Sequence, residues 1–221
     1  MKKNKEMIIL FDLDGTLIDS TEAILGSFYH SFSELEFDFK GSSEDIKNQI
    51  GYPLEIMYEA LGVPKENVCD FVNSYKNEYR KVSEGKTILL PNALEAVKLA
   101  SSFARLGIVT TKTSKYTIPL LKNFAIFDYF ETIIGRQEVT NPKPDPEPII
   151  KALESMNILV NKDIYMIGDT KLDLIAAQEA GVNGVGVLCG YGKRDDLERY
   201  THAIYNEALD AILDLKIQSK N

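Results

Sequence analysis

Asp12 and Asp14 stand two apart in the run Phe11-Asp12-Leu13-Asp14-Gly15-Thr16. Side chains at i and i+2 of an extended chain point the same way, so both carboxylates can face one pocket. Two close carboxylates repel, which invites either a metal ion or a shared proton. A solvated acidic turn, with an aspartate capping a helix, explains one such pair equally well. A second acidic pair, Asp169 and Asp173, follows the apolar run Ile164 to Ile167. Capping of a helix that starts near Thr170 accounts comfortably for one of these acids and less well for two. Thr110-Thr111-Lys112 closes another apolar run, and hydroxyls with freed amides at a strand end make an anion site. Lys143 lies in Asn141-Pro142-Lys143-Pro144-Asp145-Pro146, where prolines restrict the backbone on both sides. A lysine so held can balance a phosphate, although an exposed lysine on a stiff turn reads the same way.

The elements that must position these groups are strands covered on both faces. Met7–Phe11, Leu106–Val109, Glu131–Ile134, Ile164–Ile167 and Gly184–Leu188 are near-continuous apolar runs, with a weaker one at His202–Tyr205. Helical patterns alternate with them, which predicts an α/β fold: a Rossmann-like, doubly wound, mostly parallel sheet. Asn92, with Glu95 three residues on, and Asp145 before Pro146 read as helix starts, and Gly181 as a helix stop. Acid pair, hydroxyl, lysine and acid pair then all fall at or just beyond the C-terminal ends of core strands. One composite site results, holding the parts that phosphoryl transfer needs.

The stretch from about residue 19 to 85 holds no convincing strand. Ile24, Phe28, Phe32 and Leu35, then Ile46 and Ile50, Met57 and Leu61, and Phe71, Val72, Tyr75 and Tyr79 recur at helical spacing. Gly51-Tyr52-Pro53 and Gly62-Val63-Pro64 mark turns. The expected organisation is a core of residues 1–18 and 86–221 with an all-helical cap domain of residues 19–85 inserted at a strand's C-terminal end. The aromatic stripe reads as packing of this helical unit.

Composition narrows the function classes. The chain has 221 residues, 44% hydrophobic and 26% charged, which is ordinary globular composition and excludes a disordered tail, a fibre or a disulfide scaffold. A net charge of −8 and a pI near 4.9 argue against non-specific nucleic-acid binding, which needs a basic face. No apolar run spans a bilayer, and Cys69 and Cys189 form no zinc motif, so a cytoplasmic protein without membrane or nucleic-acid partners is expected. No protein partner is legible.

DLDGTLIDS, the strand ending in TTK, NPKPDPEP and IGDTKLD resemble, in order, the four motifs of the haloacid dehalogenase superfamily over essentially the whole chain. The helical insertion resembles the C1-type cap. Gly51-Tyr52-Pro53-Leu54 and Gly190-Tyr191-Gly192 resemble the phosphoglycolate phosphatase-like branch, which also contains pyrophosphatases. The resemblance implies a Mg²⁺-dependent phosphatase in which Asp12 attacks phosphorus and becomes an aspartyl-phosphate. It implies that Asp14 protonates the leaving oxygen and then helps activate water. Asp12, the Asp14 carbonyl and Asp169 would hold Mg²⁺, with Asp173 supporting the metal site and Lys143. Thr110, Thr111 and Lys143 would bind the phosphate. Tyr52, Arg80, Lys112, Lys115 and Arg136 are candidate substrate contacts. Dehalogenases of the superfamily lack an acid at the Asp14 position, because halide leaves without a proton, so Asp14 favours phosphate substrates.

The expected substrate is a small phosphorylated metabolite, phosphoglycolate first and pyrophosphate second, with a phosphomutase and a non-catalytic binding protein as weaker readings. Cys189 stands where many relatives place tryptophan, Gln137 where an acid is common, and Pro91-Asn92 where proline-glycine is usual. His30 and His202 read as structural or surface residues. Gly181 to Gly186 has the wrong order for a dinucleotide fingerprint.

Overall fold

The computed structural model describes residues 7–160 and 163–219. The chain divides into two compact units, one built from the described residues within Met1–Ile18 and Leu89–Asn221, the other from Asp19–Ile88. In chain order the strands are β1 (Ile8–Phe11), β2 (Ile18–Asp19), β3 (Ile88–Leu89), β4 (Arg105–Val109), β5 (Phe130–Ile134), β6 (Ile164–Gly168), β7 (Asn183–Val187) and β8 (Ile204–Tyr205). The helices are α1 (Thr21–Glu34), α2 (Ser43–Lys47), α3 (Leu54–Ala60), α4 (Val68–Val82), α5 (Ala93–Ser101), α6 (Ser114–Asn123), α7 (Glu147–Ser155), α8 (Lys171–Glu179), α9 (Arg194–Leu197) and α10 (Ala208–Gln218).

Six strands of the first unit form one sheet in the order β5-β4-β1-β6-β7-β8, and every neighbouring pair is parallel. β1 explains why the sheet must be sandwiched. Its four residues, Ile-Ile-Leu-Phe, are fully buried on both faces. Alternation sends Ile9 and Phe11 into one core cluster, with α5 and α10 residues such as Val97 and Ile212. Ile8 and Leu10 enter the other, with Ile149 and Ala152 of α7 and Ala176 of α8. Each such side chain contributes about 1.5–3 kcal/mol through burial, so a polar substitution on either face removes a layer contact. β2 and β3 form a separate two-stranded sheet.

Of the three helix ends expected from the sequence, one holds as placed and two differ. Gly181 follows α8 with the paired bonds of a Schellman motif, Gly181 N–H to Gln178 and Val182 N–H to Ala177. The start of α7 falls one residue later than expected: Pro146, not Asp145, is the N-cap and Glu147 the first helical residue, and Asp145 acts from one position further out, its Oδ1 accepting the Glu147 N–H at 2.9 Å. Asn92 does not cap α5 as expected. Its backbone is left-handed (φ 56°), and its side-chain amide donates to Glu207 at 2.7 Å.

The second unit is helical, α1 to α4, and its second boundary at Ile88 lies beyond the expected residue 85. Its aromatic stripe is its core. Phe28 packs on Tyr58 and Tyr75 with ring centroids 4.7 and 5.0 Å away, and Phe32 stacks on Phe39 at 4.7 Å. The buried Tyr58 hydroxyl is paired with Ser31 Oγ at 2.6 Å, which keeps the polar tip satisfied. His30 bridges Glu34 and Glu78 at 3.6 and 3.9 Å on the surface of this unit. Among the described residues, no helix is long and apolar enough to cross a membrane.

Candidate active site

The parallel register brings the chemistry to one edge. Phe11 aligns with Ile108 of β4 and with Ile167 of β6, so Asp12, Thr110 and Asp169 follow three adjacent strand ends. The Asp12 N–H donates to Ile167 at 2.8 Å and the Thr110 N–H to Ile134 at 2.9 Å, which extends the ladder into the site. The chain runs to opposite sides of the sheet from β1, so this is also the topological switch point where open α/β sheets bind ligands.

Lys143 crosses 131 residues of sequence to meet Asp12. Its ammonium donates to Asp12 Oδ1 at 2.8 Å, to Asp173 Oδ1 at 2.5 Å and to the Val109 carbonyl at 3.0 Å, and it is 3% exposed. All three of its protons therefore have acceptors. Asp173 serves two masters. Its Oδ2 takes the Thr170 N–H at 3.0 Å and the Thr170 hydroxyl at 2.7 Å, closing a capping box on α8, while Oδ1 holds Lys143. One oxygen thus caps the helix and the other contacts the buried ammonium.

Asp169 is fully buried and each of its oxygens accepts a hydrogen bond. Thr16 Oγ1 donates to Oδ1 at 3.1 Å and the Tyr191 N–H to Oδ2 at 2.8 Å. A Cβ at Gly190 would fall on its carboxylate and on the Gly15 carbonyl, and one at Gly192 on its own backbone carbonyl. Gly15 itself has φ +83° and would also place a Cβ against Asp169. Asp14 pairs with Lys112, Nζ to Oδ2 at 3.2 Å. Thr110 Oγ1 accepts the Lys112 N–H at 3.1 Å, which leaves its own hydroxyl proton to donate. Thr111 is half-buried in the bend after β4.

Electrostatics single out the same cluster. Burial pushes Asp12 up from 3.8 to about 7; Lys143 opposes this, while Asp173 and Asp14 add to it. Burial raises Asp169 well above the carboxylate range, helped by Asp12 and Asp173 and opposed by the Tyr191 N–H and Thr16. Burial alone would lower Lys143, but Asp12 and Asp173 outweigh it and raise it. Three buried acids thus face one buried ammonium. Ligand atoms of Asp12, Asp169 and Asp173 lie within 4.8 Å of one another. An all-oxygen donor set with excess negative charge fits a hard divalent cation.

A sequence profile of haloacid dehalogenase-like hydrolases matches residues 9–187. The chain belongs to that family. The chain is 33% identical over 189 residues to pyrophosphatase PpaX of Halalkalibacterium halodurans, covering 85% of each protein. It is 28% identical over 207 residues to a phosphoglycolate phosphatase of Salmonella typhimurium, covering 83% of this chain and 81% of that one. Among solved structures, a haloacid dehalogenase-like hydrolase of Streptococcus pneumoniae superposes with a TM-score of 0.84 at 29% identity, covering 94% of this chain and 97% of that one.

For this haloacid dehalogenase-like hydrolase, the structure brings Asp12, Lys143, Asp169 and Asp173 into one buried cluster and sets Asp14 beside Lys112 in a second pair. Tyr52 and Arg80 belong to the helical unit, Tyr52 in the turn between α2 and α3. Lys115 lies on α6, and the Arg136 guanidinium is spent on the Val139 carbonyl at 3.0 Å. Thr16 and the Tyr191 N–H are Asp169 partners that sequence reasoning missed. The glycines flanking Tyr191, a tight spacing after an apolar strand, were the available signal. Cys189 is a packing residue: half-buried, its Sγ contacts the Gly15 carbonyl at 3.4 Å, and burial pushes the thiol up to about 12. Gln137 accepts the Ser114 N–H at 3.1 Å, and the neighbouring Glu138 supplies the acid there, taking the Gly135 N–H at 2.8 Å.

Proposed function

We propose that this hydrolase is a Mg²⁺-dependent phosphatase of a small phosphorylated metabolite, a phosphoglycolate-like monoester, acting through an aspartyl-phosphate on Asp12. One observation carries the reading: a buried lysine joins Asp12 to Asp173 beside a third buried acid, at the switch point of the sheet. Lys143 occupies Oδ1 of Asp12, so Oδ2 is the oxygen that attacks phosphorus. The bond from phosphorus to the leaving oxygen breaks, and Asp14 supplies that oxygen's proton. Asp14 then takes a proton from the water that attacks the phosphoenzyme, and phosphate is released with Asp12 regenerated. Thr110 and Thr111 hold the phosphoryl oxygens, and the Lys143 ammonium, its protons engaged by Asp12, Asp173 and the Val109 carbonyl, balances their charge. Asp12, the Asp14 carbonyl and Asp169 would hold Mg²⁺, while Asp173 supports Lys143 from behind. When bound, the cation supplies positive charge that keeps Asp12 ionised and offsets the phosphoryl oxygens.

Tyr52 sits in the inserted helical unit, in the chain position of a cap, and we assign it to substrate contact; Tyr52→Phe should raise KM. A cytoplasmic setting fits the free thiols of Cys69 and Cys189. Inorganic pyrophosphate is the second reading, favoured by the higher identity to the protein named pyrophosphatase.

Phosphate release from phosphoglycolate, pyrophosphate, sugar phosphates and nucleoside monophosphates, with Mg²⁺ and with EDTA, tests this. Metal-dependent release that disappears in Asp12→Asn is expected. Release that survives EDTA, or that survives Asp12→Asn, would overturn the mechanism.

A further inference from the structure

Lys112 poses a question that the phosphate site does not answer. The transferred phosphoryl group already has a buried cation, Lys143, held by Asp12 and Asp173. Lys112 is a second cation, with a side chain only 9% exposed, and it points to Asp14, whose side chain is 13% exposed. Its backbone is pinned on both sides: the N–H donates to Thr110 Oγ1 at 3.1 Å, and the carbonyl accepts the Arg136 N–H at 3.1 Å. Drawing a lysine out of water costs free energy unless anionic partners repay it.

The distances say which partner fits. This step rests on the proposed role of Asp14 as the proton donor to the leaving oxygen. A scissile oxygen at hydrogen-bond distance from Asp14, about 3 Å, lies within roughly 6 Å of the Lys112 ammonium, since that ammonium is 3.2 Å from Asp14. A carboxylate one carbon beyond that oxygen, or a phosphoryl group directly on it, extends roughly 3 Å further, far enough to meet Lys112. A plain alkyl leaving group offers that ammonium nothing.

We propose that Lys112 reads a second anionic group on the leaving side of the substrate. The preferred substrates are then phosphates whose leaving group carries a carboxylate or a phosphoryl group immediately beside the scissile oxygen. Lys143 serves the transferred phosphoryl and Lys112 serves the leaving group, so two cations match two anions.

The test compares kcat and KM of the full chain and its Lys112→Gln and Lys112→Arg variants on phosphoglycolate, pyrophosphate and ethyl phosphate, with saturating Mg²⁺. Ethyl phosphate lacks the second anion and reports any damage to folding or to Asp14. In Lys112→Gln, kcat/KM for the preferred two-anion substrate should fall on the order of 10- to 100-fold further than for ethyl phosphate, the loss expected for a hydrogen bond between charged groups. KM should carry most of that loss, and Lys112→Arg should restore much of the preference. Which two-anion substrate shows the effect distinguishes a carboxylate from a phosphoryl group. Equal losses on all three substrates would overturn the proposal and make Lys112 a positioning residue for Asp14. A wild-type enzyme that hydrolyses ethyl phosphate as well as both others would also overturn it, while leaving the phosphatase reading intact. Absence of phosphate release from every substrate would remove that reading, and this one with it.

Discussion

Asp12→Asn should make the metal-free protein more stable while abolishing turnover. Asp12 is 6% exposed, and its environment moves it from 3.8 to about 7. At about 1.4 kcal/mol per pH unit, the ionised carboxylate costs the folded state up to about 4 kcal/mol relative to its neutral form. The sign follows from linkage. Below pH 3.8 the carboxyl is protonated in both folded and unfolded chains, and the penalty is absent. Between 3.8 and about 7 the unfolded chain loses the proton and the folded chain retains it, so stability falls as pH rises. Above about 7 the penalty is complete. Asparagine keeps the shape, still accepts a bond from Lys143 and is neutral throughout. In EDTA at pH 8 the variant should therefore exceed wild type by on the order of 2–4 kcal/mol, or roughly 5–15 °C in Tm for a chain of this length. The gap should close toward pH 4. Thermal unfolding followed by circular dichroism from pH 4.5 to 8.5 reads it directly, and added Mg²⁺ should stabilise wild type more than the variant. A variant less stable than wild type at pH 8 in EDTA, or a gap that does not change with pH, would refute the reasoning.

Lys143→Met leaves Asp12 and Asp173 buried without their cation, and urea unfolding in EDTA near pH 8 should show a loss of about 3–5 kcal/mol that shrinks at acid pH. Gly190→Ala drives a methyl group into the Asp169 carboxylate and the Gly15 carbonyl, so the Mg²⁺ concentration for half-maximal activity should rise by roughly 10- to 100-fold, read from a metal titration of phosphate release. Asp14→Asn removes the proton donor, and kcat on ethyl phosphate should fall by about 10²–10⁴. In kcat/KM, which reports transfer to Asp12 and not the later hydrolysis that Asp14 also assists, the same variant should lose far less on p-nitrophenyl phosphate, whose leaving group departs without a proton, than on ethyl phosphate; equal losses in kcat/KM would deny Asp14 the proton-donor role.

The sheet was legible because its signal is local. Continuous apolar runs such as Ile8 to Phe11 mark strands buried on both faces, and Asp12, Thr110 and Asp169 lie immediately beyond them, so strand assignment also placed these three candidates at one edge. The helical unit was legible for a related reason: its aromatics recur at helical spacing and pack on one another. The Asn92 cap failed because Asn-then-Glu spacing holds no information about a left-handed backbone, or about Glu207 lying within reach of the amide. The Asp169 cradle was illegible for a stronger reason. Thr16, Asp169 and Tyr191 come together only after β1, β6 and β7 align in parallel, across as many as 153 residues of sequence.

That same distance dependence explains what the acids do. Read locally, Asp173 is a helix cap, and the cap is real. Its second oxygen acquires meaning only when a loop from the far side of β4 delivers Lys143 to it. Capping fixes the carboxylate, the fixed carboxylate fixes Lys143, and Lys143 fixes Asp12, so the start of α8 orients a side chain on β1's tip without touching it. Thr170→Ala should therefore loosen Lys143 as well as α8. Removing a cap costs about 1 kcal/mol of stability. A kcat loss well beyond what that small destabilisation explains would show that the chain of contacts is functional; unchanged kcat would reduce Thr170 to a helix cap alone.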